Sequence, residues 1–215
     1  MDLWRPDPCT AAMGNRSRHP RIPSRLTTDR LILRPFRPED TKPYLQMYRD
    51  REVWRFIPPG VWRDGGRKNI PGWRQRNRSG RAYHFIIRTR EGNEFVGEIA
   101  IFGLDWDWRN AELGYHLNRP HWGNGFASEA AGALTAWAFE TAKLVRLYAR
   151  PFEANVPSVR LLHTLGFRQA GRRAKWARIG GRWEALLEMD LLKEDFVRPR
   201  KRGRRSSRPV TRARG

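Results

Sequence analysis

The sequence predicts an α+β domain: a mixed, mainly antiparallel sheet of about seven strands flanked by about four helices. Three observations predict it. Short apolar runs bounded by turn signals recur along the chain, and the run from residue 111 to 117 alternates strictly. Two stretches, 126–143 and 156–165, carry apolar residues at helix spacing. The elements follow the order strand, one or two helices, three strands, helix, strand, helix, two strands, which layers helices on a sheet. With 215 residues and 39% hydrophobic side chains, one such domain can bury a sizeable core.

The first strand is Arg30-Leu31-Ile32-Leu33-Arg34-Pro35-Phe36. Pro38-Glu39-Asp40 then opens a helix through Tyr48. Residues 54–81, rich in Trp, Gly and Arg, read as a loop with one short helix. Tyr83–Thr89 and Glu94–Leu104 form a hairpin about Glu91-Gly92-Asn93. In 111–117, Ala111, Leu113, Tyr115 and Leu117 share one face and Glu112, Gly114 and His116 the other. Trp122-Gly123-Asn124-Gly125 leads into a helix with a small-residue face, Ala127, Ala130, Ala131, Leu134 and Ala138. Val145–Phe152 is a strand, Asn155 an N-cap, and Gly166 the end of the following helix. Two strands, 167–177 and 183–192, close the fold about Gly180-Gly181, with Trp106, Trp108, Trp176 and Trp183 as loop and core anchors.

Charge is spread unevenly. Lys and Arg number 43 against 22 Asp and Glu, a net charge of +21. Residues 198–215 hold nine of these cations, from Arg198 to Arg214, and no acid. They lack apolar periodicity and read as a disordered Arg-rich tail, either a grip on RNA or ribosomal phosphate or a solubiliser. Residues 1–25 read as a disordered basic extension, within which Met13 is an alternative start, and 26–197 as the domain. One cysteine, Cys9, excludes an intramolecular disulfide framework and a Cys-rich zinc site, and no histidine pair has metal-ligand spacing. The longest apolar run, Ala130–Phe139, is too short to span a membrane, and the N-terminus has no secretory pattern. A cytoplasmic, reduced setting is expected, with no metal and no membrane partner.

The chemistry concentrates in the strand–glycine turn–helix of residues 111–131. Glycines at a helix start let a ligand approach the backbone, and first-turn N–H groups face outward at the positive end of the dipole. A pyrophosphate fits such a turn. No Gly-Lys-Ser/Thr follows, which excludes a P-loop, and the third glycine and later acid of a dinucleotide fingerprint are missing.

Ala111-Glu112-Leu113-Gly114-Tyr115 with Trp122-Gly123-Asn124-Gly125-Phe126-Ala127-Ser128-Glu129-Ala130 resembles the acetyl-CoA-binding core of the GNAT N-acetyltransferases. Asn155-x-x-Ser158 and Leu165-Gly166-Phe167 resemble the next motif of that superfamily. Thr28-Asp29-Arg30-Leu31-Ile32-Leu33-Arg34 and Gly180-Gly181-Arg182-Trp183 are similar to the RimJ/RimL branch, the ribosomal-protein alanine/serine N-terminal acetyltransferases. The resemblance spans about residues 26–196.

It implies a GNAT-like fold and direct transfer of acetyl from acetyl-CoA to a primary amine. The Glu112 strand would splay from 145–152 and admit pantetheine, pairing with Tyr115, His116 and Leu117. Trp122, Gly123, Asn124, Gly125, Phe126 and Ala127 would hold the pyrophosphate, and Asn155 the cofactor arm. Trp122 stands where the superfamily often has Arg or Gln, and Leu162 where many members carry the tyrosine that protonates the leaving thiolate. Ser158 is the expected substitute for that acid, with water as the alternative. Glu112 is the expected base, acting through water; the alternative is that it only pairs with Arg109 or Arg88. His116 is a second base candidate. The acceptor reads as a protein N-terminal Ala or Ser of ribosomal type. Alternatives are a small amine, or a non-catalytic acyl-CoA- or RNA-binding module. Trp54, Trp62 and Trp73, interleaved with Arg55, Arg63, Arg67, Lys68, Arg74 and Arg76, are either a platform for acidic targets or core tryptophans under a basic face.

Overall fold

The computed structural model describes residues 20–53, 55–56 and 69–197. Cys9, Met13, Trp54, Trp62, Arg63, Arg67, Lys68, the side chain of Arg74 and the Arg198–Arg214 tail lie outside the described residues.

Eight strands form one sheet: β1 (Leu26–Thr27), β2 (Leu31–Arg34), β3 (Ala82–Thr89), β4 (Phe95–Asp105), β5 (Asn110–Leu117), β6 (Arg146–Ala149), β7 (Arg168–Ile179) and β8 (Arg182–Leu192). Their spatial order is β1-β2-β3-β4-β5-β6-β8-β7. Every neighbouring pair is antiparallel except β5 and β6. Parallel neighbours need a crossover, and α3 (Phe126–Glu140) supplies it. The other helices are α1 (Thr41–Met47), α2 (Asn69–Ser79) and α4 (Val156–Thr164).

The expected order of elements is thus present, with one strand more. β1 is only two residues, pairing Leu26 with Leu33 and Thr27 with Ile32, and so short a segment has no period to read. The helix expected from Pro38 begins instead with a 3-10 turn, Pro38–Asp40, before α1. Contacts also reach back past residue 26: the Tyr83 hydroxyl donates to the Pro20 carbonyl at 2.5 Å, and Ile22 packs on the core.

Two cores lie on opposite faces of the sheet. α3 and α4 bury Ala130, Ala131, Leu134, Ala138 and Leu162 against Leu31, Ile99, Ile101, Leu113 and Leu147. Small side chains on α3 let its backbone sit close to the strands. On the other face α1 and α2 bring Tyr44, Met47, Tyr48 and Trp73 onto Phe36, Ile86 and Phe95. Trp73 is 3% exposed and meets Tyr44 edge-on with centroids 4.9 Å apart, so at this position the core reading holds. Trp106 is part-buried and donates to the Gly80 carbonyl at 2.9 Å. Trp108, Trp176 and Trp183 do not anchor the core. They are 75%, 46% and 59% exposed, the first in the β4–β5 turn and the others toward the far end of the β7–β8 hairpin.

Asp40 ties β2 and β3 to the start of α1. Its carboxylate, wholly buried, accepts from Arg34 at 2.6 and 3.0 Å, from Arg88 at 2.7 and 2.9 Å, and from the Arg37 N–H at 2.8 Å. Burial alone would raise the Asp40 pKa; the bonds from Arg34, Arg37 and Arg88 outweigh it and leave the pKa below its ordinary value of 3.8. Stability from this group is therefore complete above the ordinary aspartate range and is lost as pH falls through the lowered value. Asp40→Asn strands two buried guanidinium groups and should cost about 3–5 kcal/mol in urea melts at pH 7. The gap between variant and wild type should narrow on acidification.

Candidate functional site

The β5–β6 ladder is short. It pairs Asn110 with Arg146, Ala111 with Leu147 and Glu112 with Tyr148, and stops there, while β5 runs on to Leu117. The two strands part beyond Glu112, which is the expected splay. On its other side β5 stays fully paired with β4, from Glu112↔Phe102 to Leu117↔Gly97.

At the far end of β5 the chain makes a 3-10 turn, Arg119–His121, and enters the glycine turn. Gly123 and Gly125 have φ of 76° and 74°, a left-handed conformation that a Cβ disfavours. A Cβ on Gly123 would meet nothing within 4 Å, so the space over the turn is open. The first intrahelical bond of α3 runs from the Glu129 N–H to the Gly125 carbonyl at 3.1 Å, which leaves the N–H groups of Phe126, Ala127 and Ser128 ahead of it. Trp122 is 45% exposed and fixes the approach to the turn by donating from Nε1 to the Leu117 carbonyl at 2.8 Å. Asn124 donates to the Trp122 carbonyl at 3.3 Å. Arg30 clamps the turn from the β1–β2 connection, with Nη1 on the Asn124 carbonyl at 3.0 Å and Nε on Glu129 at 2.7 Å. A diphosphate fits this cradle of left-handed glycines, outward amides and a neighbouring guanidinium.

The expected catalytic residues are on opposite faces of β5. Tyr115 packs on the α3/α4 side, where its hydroxyl lies 2.9 Å from the Ser158 Oγ. Burial raises the Tyr115 pKa to about 12, against a smaller lowering by Ser158, so the phenol keeps its proton at neutral pH. Asn155 caps α4, accepting from the Ser158 N–H at 3.4 Å, and so places that serine. Leu162, at the position of the missing tyrosine, is 1% exposed and belongs to the core.

Glu112 faces the other way. It is 8% exposed, and both its oxygens accept from Arg150, at 3.1 Å to Nε and 2.6 Å to Nη2. It therefore does pair with an arginine beside the sheet, but with Arg150 rather than Arg109 or Arg88. Two residues on, Gly114 lies under the Phe102 ring, where a Cβ would come within 2.9 Å of Cε1. Two further on, His116 Nδ1 stands 3.0 Å from Glu98 Oε1 and 3.2 Å from the Tyr48 hydroxyl, which itself donates to Glu98. On this face of the sheet the Glu112–Arg150 ion pair and the contact of His116 with Glu98 and Tyr48 lie on either side of the Phe102 ring over Gly114.

Residues 30–168 match the family model described as an acetyltransferase (GNAT) domain. The chain belongs to the GNAT acetyltransferase family. An N-acetyltransferase of Bacillus licheniformis, p20, whose own function is uncharacterized, is 33% identical over 174 residues, covering 80% of this chain and 98% of that one. Mycobacterium smegmatis RimJ, solved in complex with CoA-disulfide, superposes with a TM-score of 0.68 at 25% identity, over 76% of this chain and 82% of its own. A spermidine N-acetyltransferase from Vibrio cholerae, in complex with CoA and spermine, shares the fold with a TM-score of 0.69 at 18% identity, over 77% and 96% of the two chains. This GNAT chain is accordingly an N-acetyltransferase built on the mixed sheet and four helices described above. Within the described residues no helix is long and apolar enough to cross a membrane.

Sequence reasoning took Tyr115 only for its backbone, and passed over Glu98 and Tyr48. The signal for Glu98 was there: a single acid inside the apolar run Phe95-Val96-Gly97-Glu98-Ile99 has to find a partner. Replacing Gly123 or Gly125 with Ala should cost about 1–2 kcal/mol each through backbone strain. Urea midpoints measure this, and the loss should be similar at both sites because neither added methyl meets a close neighbour.

Proposed function

We propose that this acetyltransferase modifies the α-amino group of protein N-termini beginning with Ala or Ser, the ribosomal-protein type of reaction, with acetyl-CoA as donor. The observation that carries this reading is the parting of β5 from β6 beyond Glu112↔Tyr148, together with the left-handed glycine turn that leads into α3. The likeness to a RimJ supports the choice of acceptor. So does the acceptor's acidity: an α-amino group with pKa ~7.7–8.0 is partly neutral at pH 7, whereas lysine at ~10.4 is not.

In this reading the amides of Tyr115 and Leu117 and the backbone at His116 hold the pantetheine arm at the edge of β5, as an added strand would. Trp122, Gly123, Asn124, Gly125, Phe126 and Ala127 surround the diphosphate, and Asn155 reaches the arm near its sulfur end. Acetyl-CoA supplies an activated carbonyl and a thiolate leaving group. Ser158 hydrogen-bonds the departing sulfur, with the Tyr115 hydroxyl 2.9 Å behind it as the next proton donor. Glu112 has two readings. As the base it would take the amine's proton through water; as half of a bidentate pair it holds Arg150 across the fork where the strands part. The second is favoured because both oxygens are already engaged.

The spermidine enzyme of the same fold supports a small-amine alternative, but a net charge of +21 repels polyamines. Thiol release with Ala-, Ser- and Lys-starting peptides and with spermidine decides between them. The Ala and Ser peptides should be the best acceptors, and turnover with spermidine alone would overturn the assignment. Ser158→Ala should lower kcat about tenfold and leave the Kd for acetyl-CoA within twofold, by calorimetry. The Arg198–Arg214 tail is read as a ribosome or RNA contact; deleting residues 198–215 should flatten the salt dependence of RNA binding, measured as the slope of log K against log salt.

A further inference from the structure

We infer that the proton released by the acceptor amine goes to His116, positioned by Glu98 and Tyr48, and not to Glu112. The inference rests on the acetyl-transfer reading above and concerns the same face of β5.

The geometry is that of an oriented imidazole. Glu98 and His116 are directly opposed in the β4–β5 ladder, on the face that also carries Glu112 and Gly114. Gly97, beside Glu98, has a φ of 155°, and a Cβ there would lie 2.2 Å from the His116 carbonyl oxygen, so only glycine permits this backbone. Glu98 is 8% exposed, and one of its oxygens receives both the Tyr48 hydroxyl and His116 Nδ1. A carboxylate so placed fixes Nδ1 as the protonated nitrogen, which makes Nε2 the basic one. It also stabilises the imidazolium once a proton has been accepted. The arrangement does for histidine what the buried acid does in a hydrolase triad.

The groups around it support the assignment. Tyr48, at the end of α1, has its pKa raised well above 10.0 by burial, then by Glu98 and by Tyr44 behind it, so it stays a donor to Glu98. On β3, His84 is stacked on Trp73 and its pKa is lowered to about 4 by burial, against a raising effect of Glu98 and with a further lowering from Arg76 on α2. It is neutral at pH 7 and does not compete for the charge of Glu98. On β5 itself the remaining acid is Glu112, engaged by Arg150, and the Phe102 ring over Gly114 separates that ion pair from the contact between Glu98 and His116. His116 keeps 28% of its side chain accessible, whereas the Glu98 carboxylate keeps 10%. The imidazole is thus the more accessible member of the pair.

The step balances. The amine nitrogen forms a bond to the acetyl carbon and gives one proton to His116. The carbon–sulfur bond breaks, and the thiolate takes one proton from Ser158, which regains it from solvent through the Tyr115 hydroxyl 2.9 Å away. The imidazolium then returns its proton to water.

The test is the pH dependence of kcat for His116→Gln, Glu98→Gln, Tyr48→Phe and Glu112→Gln, with the best peptide acceptor and saturating acetyl-CoA. His116→Gln should lower kcat about 100-fold, the scale of one general base, with acetyl-CoA affinity unchanged by calorimetry. Added imidazole should restore part of the rate to His116→Ala. Glu98→Gln removes the charged partner of Nδ1 and should move the acid limb of the profile to lower pH. Glu112→Gln should leave that limb in place. An acid limb unmoved in both the His116 and Glu98 variants, or abolished in Glu112→Gln, overturns the inference. Should His116→Gln fail to fold, the limb in Glu98→Gln and Tyr48→Phe decides alone. Failure of the wild type to bind acetyl-CoA would sink the acetyl-transfer reading itself, whereas an active wild type with an unmoved limb sinks the histidine assignment only.

Discussion

The architecture depends on a ladder that ends early. Three residue pairs join β5 to β6 in parallel, and the bidentate contact between Glu112 and Arg150 sits where they part. A parallel pair requires a crossover, so the sequence between the strands has to supply a helix, and the turn into that helix is where the glycines lie. The fork, the outward amides of α3 and the contact between Tyr115 and Ser158 all follow from this single interruption of strand pairing. The interior of the fold compensates: β4 stays paired with β5 from Gly97↔Leu117 to Phe102↔Glu112, and α3 packs its alanine face behind both strands.

The elements were legible because their periods are clean. Alternation in 111–117 and the alanine spacing in α3 each give the right structure and the right face, and Asn155 before Val156 gives the cap. What period cannot show is short or distant. β1 has two residues; its place comes from pairing with β2, not from its own pattern. The partner of Glu112 is 38 positions away in sequence, and the arginines nearer at hand, Arg88 and Arg109, go elsewhere: Arg88 holds Asp40, and Arg109 turns the chain with a φ of 51°.

The site was half legible for the same reason. Motif spacing showed the local structure at the glycine turn and at the Asn155 cap before Ser158, because turns and caps are set by neighbours in sequence. The cluster of Tyr48, Glu98 and His116 joins α1, β4 and β5, and only the folded sheet brings the three together. Alternation did put His116 on the face of Glu112, but the buried acid beneath it was hidden inside an apolar run.

The last hairpin has a consequence of its own. β7 forms one margin of the sheet, twelve residues long and mostly exposed, with Arg168, Arg172, Arg173, Lys175 and Arg178 along it. A long open margin is a template for stacking with its own kind. Arg168, Arg172 and Arg173 meet Asp195, Glu153 and Glu188, while Lys175 and Arg178 leave an excess of positive charge along this border. Two such borders brought side by side would set like charges against each other, which disfavours zipping into fibres.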